Sequence, residues 1–302
     1  MIISIASGKG GTGKTTIAVN LAAIAGEIYK DKGKTILYAD CDVEEPDGHL
    51  FLKPEETKST KASALVPKID PEKCTLCGKC AKACRFNSLL VTKKNVIVFE
   101  ELCHGCGACK IVCEDDAIVE VEREIGVVKE GQADLIELID TDSGKIDYIA
   151  GVLNVGEHMS PPLIKRVREK IEETDNKAEF VFIDASPGTS CPVIEAVRGT
   201  DYVVLVTEPT PFGLSDLKLA VGMIESLDLP LGIVINRSQG DEKGSELLEY
   251  IKNKGLEILT EIPLKRSIAE TISKGGLLID EDVEMKNLFK ELLNKIHLYR
   301  GD

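Results

Sequence analysis

The sequence predicts an α/β fold, built on a parallel sheet and interrupted by a small cysteine-rich α+β insertion. Short apolar runs alternate with amphipathic helical stretches on both sides of the insertion, which is typical of strand–helix–strand units. A glycine-rich loop, SGKGGTGKTT, follows the first apolar run. Eight of the ten cysteines form two copies of C-x2-C-x2-C-x3-C, each 29 residues apart from its counterpart.

The composition limits the classes of partner. With 302 residues, 43% of them hydrophobic, the chain is long enough to bury a sizeable core. A formal net charge of −14 disfavours nucleic acid and anionic lipid as main partners, because both require a basic surface. We expect no signal peptide and no membrane span, since no apolar run approaches roughly 18 residues. Ten cysteines then indicate metal ligands in a reducing, oxygen-poor cytoplasm.

The N-terminal part begins as a βαβ unit. Ile2–Ala6 is an apolar run suited to a buried parallel strand, and residues 15–25 are rich in Ala, Ile and Leu, which favours a helix. Residues 35–39 predict a second strand. This order implies a crossover connection and a parallel sheet.

A change in composition then marks the insertion. From about Glu55 the sequence becomes polar, in LKPEETKSTKAS, and we interpret this stretch as a linker. We predict a split α/β domain over residues 1–60 and 124–302, with the cysteine domain over residues 61–123. Strand and helix alternate again after the insertion. The further predicted strands are residues 148–155, 179–183, 202–207, 231–236 and 257–262, with helices beginning at Ser160 and spanning residues 285–296.

The glycine-rich loop fits G-x4-G-K-[ST], the phosphate-binding pattern. Glycines let successive backbone N–H groups point at phosphate oxygens, and the following helix N-terminus adds positive potential. We expect Lys14 to reach the β- and γ-phosphates of ATP and the Thr15 hydroxyl to coordinate Mg2+. The nucleotide contacts predicted from the loop are Gly8, Gly10, Gly11, Thr12, Gly13, Lys14, Thr15 and Thr16.

Lys9 adds a second lysine to the loop, in K-G-G-T-G-K-T. With it, the α/β part resembles the deviant Walker A (SIMIBI-type, MinD/Mrp) P-loop ATPases, a superfamily that includes the Min-type cell-division ATPase, the Mrp/Nbp-type cluster carriers and the nitrogenase iron protein. The resemblance implies a nucleotide-dependent homodimer, in which Lys9 crosses to the phosphates bound by the partner subunit during hydrolysis. A solvated loop lysine is the alternative.

Carboxylates follow two of the predicted strands. Asp40 and Asp42 end the strand in ILYADCD, and Asp184 ends the strand in FVFIDASPG. A parallel sheet carries its chemistry at these strand ends. By resemblance, Asp42 would position the attacking water or help to hold Mg2+ through water, and Asp184 is similar to the Walker B aspartate. Capping of the following loop is the alternative for both.

Two further nucleotide contacts rest on the same resemblance. Gly188 matches the switch II glycine that senses the γ-phosphate. Asn236, which ends LGIVIN, is similar to the asparagine that reads adenine, since an amide offers both a donor and an acceptor. An ordinary cap at the strand end is the alternative for Asn236.

The cysteine segment resembles a bacterial ferredoxin with two [4Fe–4S] clusters, in which the fourth cysteine of each set serves the other cluster. That resemblance implies one cluster on Cys74, Cys77, Cys80 and Cys113, and another on Cys84, Cys103, Cys106 and Cys109. Zinc is the alternative, although zinc ribbons use separated CxxC pairs rather than triplets. Arg85 and Glu114 stand where ferredoxins place proline after the fourth cysteine.

Other features have simpler interpretations. Cys41 and Cys191 lie outside the repeats, and we interpret both as buried small hydrophobic residues. His104 is expected to hydrogen-bond near a cluster rather than to ligate it. The stripe over residues 285–296 carries lysine and glutamate on its polar face, which favours a packed terminal helix over a lipid anchor.

Together these features predict an iron–sulfur ATPase that couples ATP hydrolysis to electron transfer through two clusters, with a redox protein as partner. An iron–sulfur carrier or scaffold that delivers a cluster to an apo-protein acceptor is a second hypothesis. Eight cysteine ligands argue against it, because they leave no open corner on either cubane. A Min-like ATPase that positions a partner is a third, and the acidic composition argues against membrane recruitment.

Overall fold

A computed structural model describes residues 1–175, 178–240 and 246–299 of the chain. The last residues of the predicted ATPase domain, 300–302, lie outside this range. The strands are β1 (Ile2–Ala6), β2 (Thr35–Cys41), β3 (Glu55–Ile69), β4 (Leu89–Val91), β5 (Val96–Val98), β6 (Ile118–Asp134), β7 (Lys145–Leu153), β8 (Ala178–Ala185), β9 (Tyr202–Thr207), β10 (Leu231–Ser238) and β11 (Ile258–Pro263).

The helices complete an alternating order along the chain. They are α1 (Lys14–Tyr29), α2 (Gly48–Leu52), α3 (Lys79–Ala83), α4 (Ala108–Ile111), α5 (Ser160–Asp175), α6 (Cys191–Val197), α7 (Pro211–Ser226), α8 (Glu246–Lys254), α9 (Arg266–Ser273), α10 (Leu278–Glu281) and α11 (Val283–Leu298). Every strand predicted from an apolar run is present, with ends that differ by up to three residues.

In the described residues, nine strands form one sheet in the order β11-β10-β9-β1-β8-β2-β7-β6-β3. The strands from β11 to β7 are parallel, as predicted. The sheet also includes two strands that the sequence did not predict, because β6 pairs antiparallel with β7 and β3 pairs antiparallel with β6.

Helices cover both faces of this sheet. On one face, the even-numbered side chains of β8, such as Phe180 and Phe182, pack in a core with α1 and α11. On the other face, Val181 and Ile183 pack in a core with α5, α6 and α7. Because each inner strand is buried on both faces, its residues are apolar without alternation.

The interpretation of the polar stretch after Glu55 as a linker is wrong. These residues form β3, which pairs with β6 from Glu55 opposite Gln132 to Ile69 opposite Ile118. The first seven residues of β3 are exposed, so backbone pairing rather than apolar burial makes them a strand. The predicted domain boundaries at residues 60 and 124 fall inside β3 and β6, and the cysteine segment lies beyond the far end of this hairpin.

The predicted packing of the C-terminal helix is confirmed. Its apolar stripe, which comprises Met285, Phe289, Leu292, Leu293 and Ile296, is buried in the same core as α1. Over the residues that the structure describes, no helix combines the length and the apolar character that crossing a bilayer requires.

Candidate functional site

The phosphate loop joins β1 to α1 and has two positions that only glycine fits. A Cβ atom on Gly8 would lie 2.2 Å from the backbone oxygen of Asp216, at the first turns of α7. Gly13 has a φ of 94° at the N-terminus of α1, and a Cβ there would lie 2.4 Å from the side-chain nitrogen of Asn236. The loop is therefore pressed between two neighbouring elements, and its glycines permit that approach.

A cavity of about 450 Å³ opens beside this loop at the carboxyl edge of the sheet. This volume lies in the usual range of ligand pockets. The cavity brings together eight of the predicted nucleotide and catalytic residues, which are Gly10, Gly11, Gly13, Lys14, Thr15, Thr16, Asp42 and Asn236. Gly8, Lys9, Thr12, Asp184 and Gly188 lie outside its lining.

Asp42 faces the cavity from the end of β2 and carries a perturbed carboxyl. Burial, aided by the nearby carboxylate of Asp184 and opposed by the ammonium of Lys14, raises its pKa to about 7. A carboxyl poised near neutral pH suits a group that exchanges a proton with water or gains a cation when ligand binds. Lys14 itself is buried against the loop and supplies the neighbouring positive charge.

Behind Asp42 lies a fully buried pair of carboxyls, Asp40 and Asp184, which are register partners on β2 and β8. Burial and the charge of Asp184 raise the pKa of Asp40 well above its ordinary value. Asp40 accepts backbone N–H bonds from Asp42 at 3.1 Å and Gly48 at 3.0 Å. Asp40 therefore caps the loop that follows β2 and thereby orients Asp42.

Asp184 carries a buried carboxylate oxygen that a bound cation would stabilise. Burial raises its pKa to about 6, opposed by hydrogen bonding and by Lys14, and the Tyr38 hydroxyl donates to its Oδ2 at 3.2 Å. Its Oδ1 and the Thr12 hydroxyl are buried with no hydrogen-bond partner among the described residues. A buried, unpaired carboxylate oxygen beside Thr15 is the donor chemistry that Mg2+ prefers, directly or through water.

Lys9 is held within its own chain by a residue that the sequence analysis missed. Its Nζ lies 3.2 Å from Oε2 of Glu208, whose Oε1 contacts Arg237. Glu208 is nearly buried just beyond the end of β9, so it follows the same rule of strand ends that identified Asp184. The alternative of a fully solvated lysine is wrong for this conformation.

Asn236 and Gly188 both support the phosphate loop through hydrogen bonds. Asn236 donates from Nδ2 to the Thr12 oxygen at 2.7 Å and accepts from the Arg237 N–H at 2.9 Å. The Gly188 N–H donates to the Ser7 oxygen at 2.9 Å. These groups are engaged within the chain, so reading of adenine and sensing of the γ-phosphate remain predictions.

A second cavity, of about 690 Å³, adjoins the first and has an acidic lining. It shares Asp42, Glu45 and Pro187 with the nucleotide cavity, so these residues separate two adjacent cavities. The remaining lining residues are Glu44, Leu153, Asn154, Val155, Gly156, Glu157, Ser186, Ser190 and Pro192. No sequence motif marks this cavity, because its residues come from three separate strand ends.

The cysteines surround two small cavities beyond the β3–β6 hairpin. One is lined by Cys74, Cys77, Cys80 and Cys113. The other is lined by Cys84, Cys103, Cys106 and Cys109. Each cavity therefore combines three cysteines of one repeat with the fourth of the other. Within residues 1–175, 178–240 and 246–299, no group of His, Cys, Asp or Glu side chains is arranged around a single metal ion.

Local geometry explains how each repeat curls around its cavity. Gly78 and Gly107, with φ of 78° and 72°, precede α3 and α4, which carry Cys80 and Cys109. Glu114, one of the two residues that replace the ferredoxin proline, pairs with Lys79 at 2.5 Å. Ring stacking fixes His104 against Phe86, with centroids 3.5 Å apart.

The two remaining cysteines differ from each other. Cys41 is completely buried on β2, as predicted. The interpretation of Cys191 as buried is wrong, because it is exposed at the first position of α6, where the chain turns after Pro187.

The fold and the site define a P-loop nucleotide-binding protein, with its phosphate loop and two acidic strand ends at one edge of a sheet covered on both faces. The family model of the CobQ/CobB/MinD/ParA nucleotide binding domain matches residues 3–293. The chain belongs to this family of P-loop nucleotide-binding domains.

Similar proteins align along nearly the whole chain. An uncharacterized protein of Methanocaldococcus jannaschii is 31% identical over 297 residues, covering 98% of this chain and 97% of that protein. An iron–sulfur cluster carrier protein of the same organism is 22% identical, covering 97% of this chain and 83% of the carrier. The septum site-determining protein MinD of Pyrococcus horikoshii, solved with Mg-ADP, has a TM-score of 0.57 at 18% identity, covering 98% of this chain and 95% of that chain.

Proposed function

We propose that this protein is an iron–sulfur ATPase, in which ATP binding and hydrolysis are coupled to electron transfer through two [4Fe–4S] clusters in a reducing cytoplasm. The observation that carries the proposal is the lining of the two cysteine cavities. Each gathers three closely spaced thiols and one distant thiol, the donor set of a cubane. In this function residues 61–123 act as an inserted ferredoxin-like domain within the ATPase.

The chemistry of the donor sets supports cubanes rather than single ions. A cubane spreads four thiolates around four irons, so its ligands lie farther apart than the ligands of one metal ion. Three cysteines within seven residues reach three corners, and the fourth corner needs a residue from elsewhere in the chain. Cys113 and Cys84 are the residues that reach the opposite cavity. When bound, the clusters would supply one-electron chemistry.

On the nucleotide side, the residues fit Mg-ATP. The loop amides and Lys14 would hold the phosphates, and Thr15 with the unpaired Oδ1 of Asp184 would hold Mg2+. Asp42, with its raised pKa, would orient the attacking water. The complex of the Pyrococcus horikoshii protein with Mg-ADP supports the choice of an adenine nucleotide, and Asn236 stands at the edge of the cavity where the base would lie.

Hydrolysis would require a homodimer because of Lys9. Its ammonium pairs with Glu208 and lies outside the lining of its own nucleotide cavity. A lysine held in that position would reach the phosphates of a partner if the two phosphate loops faced each other. ATP would then close the dimer and expel water from the γ-phosphate.

Iron content and redox titration test this function. Anaerobically purified protein is expected to contain about eight irons per chain, with matching sulfide. Mg-ATP is expected to shift the reduction potential of at least one cluster or to change the rate of electron transfer. An iron content of about four or fewer would contradict the two-cluster assignment. Clusters that are indifferent to ATP, to ADP and to the absence of nucleotide would contradict the coupling.

A second function, delivery of a cluster to an apo-protein, is favoured by the similarity to iron–sulfur cluster carrier proteins. This function predicts a labile cluster that leaves the chain in a nucleotide-dependent manner. Incubation of the loaded protein with a cluster-free ferredoxin, followed by separation and iron analysis of both proteins, distinguishes the two. Retention of all iron by the donor, with and without Mg-ATP, would exclude delivery.

A further inference from the structure

An ion pair between Arg123 and Glu157 joins the strand that leads from the cysteine segment to a loop that lines the acidic cavity. Arg123 Nη1 contacts Oε2 of Glu157, and the side chains are 19% and 5% exposed. The other oxygen of Glu157 accepts backbone N–H bonds from His158 and Met159, both at 2.9 Å. Glu157 therefore fixes the start of the approach to α5 and anchors it to β6.

On one side, this pair adjoins the cavity of the second cysteine set. Arg123 is opposite Ala64 in the β3–β6 ladder, and the next residue, Leu65, lines that cavity. Glu120, three residues before Arg123 on β6, also lines it. The cavity of the first cysteine set instead lies at the far end of the hairpin and is lined by Ile69 and Ile118. Arg123 is thus closer along the ladder to the cavity of the second cysteine set than to that of the first.

On the other side, the loop of residues 153–157 carries Glu157 and lines the acidic cavity together with Asp42. The Asn154 N–H donates to the Ile125 oxygen at 2.9 Å, two residues from Arg123. The Leu153 N–H donates to the Val43 oxygen at 2.9 Å, and Val43 directly follows Asp42. Two backbone hydrogen bonds and the peptide links between them therefore connect Asp42 to the strand that bears Arg123.

Arg123 also has the capacity for a second arrangement. Its Nε and Nη2 are buried without a hydrogen-bond partner among the described residues. The bond to Glu157 raises the pKa of Arg123, and the charges of Glu100 and Glu101 act in the same direction. Unpaired buried donors cost free energy, so a guanidinium released from Glu157 would gain bonds by turning to another acceptor. Glu101 stands two residues before Cys103.

We propose that Arg123 is a positioning residue that couples the nucleotide site to the second cysteine set through its ion pair with Glu157, which a movement of the 153–157 loop would break. A shift of the segment after Asp42, caused by ATP, would pull on the 153–157 loop and withdraw Glu157. The positive charge would then move with respect to the second cluster and change its potential, whereas the first cluster would change less. This inference rests on the proposed function, since it assumes clusters and ATP.

Hydrogen exchange tests the link without reference to the clusters' activity. Mg-ATP, or a non-hydrolysable analogue, is expected to change the protection of the Asn154 amide and of residues 157–159 in the wild-type chain. The variant Arg123→Met is expected to lower that protection without nucleotide and to remove the response. An Asn154 amide whose exchange is the same with and without nucleotide in the wild-type protein would overturn the inference.

Redox titration tests the consequence. Glu157→Gln keeps an oxygen for the two N–H bonds but removes the charge, and it serves as a second variant should Arg123→Met fold poorly. Both variants are expected to keep their iron and their nucleotide affinity and to lose the ATP-dependent shift of the second cluster. Arg166→Met, which removes an exposed arginine paired with Glu169 on α5, is the matched control and should keep the shift.

The outcomes separate the inference from the function on which it rests. A wild-type protein whose clusters do not respond to ATP, but whose Asn154 amide does, would contradict the proposed coupling and leave the structural link standing. A wild-type shift that persists in full in both Arg123→Met and Glu157→Gln would overturn the role of Arg123 and leave the proposed function standing.

Discussion

Replacement of Asp42 by asparagine is expected to flatten the pH dependence of stability in the nucleotide-free protein. The Asp42 carboxyl is partly buried beside Asp184, and its pKa rises from 3.8 to about 7. Between these two values the native state binds a proton that the unfolded chain does not. The free energy of unfolding contributed by Asp42 therefore falls as pH rises through this window. An amide of the same shape carries no charge and no such dependence.

The size of the stability change follows from the raised pKa of Asp42. From pH 5.5 to 8.5 the native carboxyl, with a pKa of about 7, gives up its proton, whereas the unfolded one is ionised throughout. Integrated over these pH units, the difference in bound protons, which never exceeds one, amounts to about 1.5, or about 2 kcal/mol. Asp42 is not fully buried, and solvent screening reduces the expected effect to about 1 kcal/mol. From pH 5.5 to 8.5, the free energy of unfolding of the asparagine variant should therefore rise by about 1 kcal/mol relative to that of the wild type.

Urea unfolding at a series of pH values measures the difference directly. Comparison of variant and wild type at each pH cancels contributions that the two share, including those of the cysteines. Asp228→Asn, at an exposed turn, is the matched control and should follow the wild type. Saturating Mg-ADP should shrink the advantage of Asp42→Asn, because cation and Lys14 stabilise the ionised carboxylate. Parallel curves for wild type and Asp42→Asn would refute the reasoning.

Three further predictions concern the cysteine sets, the second lysine and the loop glycines. Cys113→Ser is expected to lose about half of the iron and the signal of the cluster on the first three cysteines; loss from the other cluster would contradict the crossed arrangement. Lys9→Ala is expected to slow steady-state ATP hydrolysis about 100-fold while nucleotide affinity, measured by titration, is kept, and unchanged turnover would argue against a role in catalysis. Gly8→Ala should destabilise the fold by about 1–3 kcal/mol in urea unfolding, because its Cβ would lie 2.2 Å from the Asp216 oxygen. Gly10→Ala is the control, because a Cβ there would have nothing within 4 Å. Equal stability of the two variants would contradict the close packing at Gly8.

Apolar runs and loop chemistry made most of the sheet predictable, but they did not predict β3. The inner strands are buried on both faces, so their composition alone distinguishes them from loops. The first half of β3 is exposed and polar, and its structure comes from hydrogen bonds to β6, more than 60 residues away. No local pattern encodes such a partner, and the stretch therefore resembled a linker.

The candidate site divides in the same way. Spacing within the chain determined the phosphate loop, the strand-end carboxylates and the two cysteine repeats, because these depend on neighbours in sequence. Only the tertiary structure decided that Lys9 pairs with Glu208, that Asn236 supports the loop, and that Arg123 meets Glu157. Each of these contacts joins separate elements of the sheet, where the identity of the partner depends on strand order and register rather than on any local sequence signal.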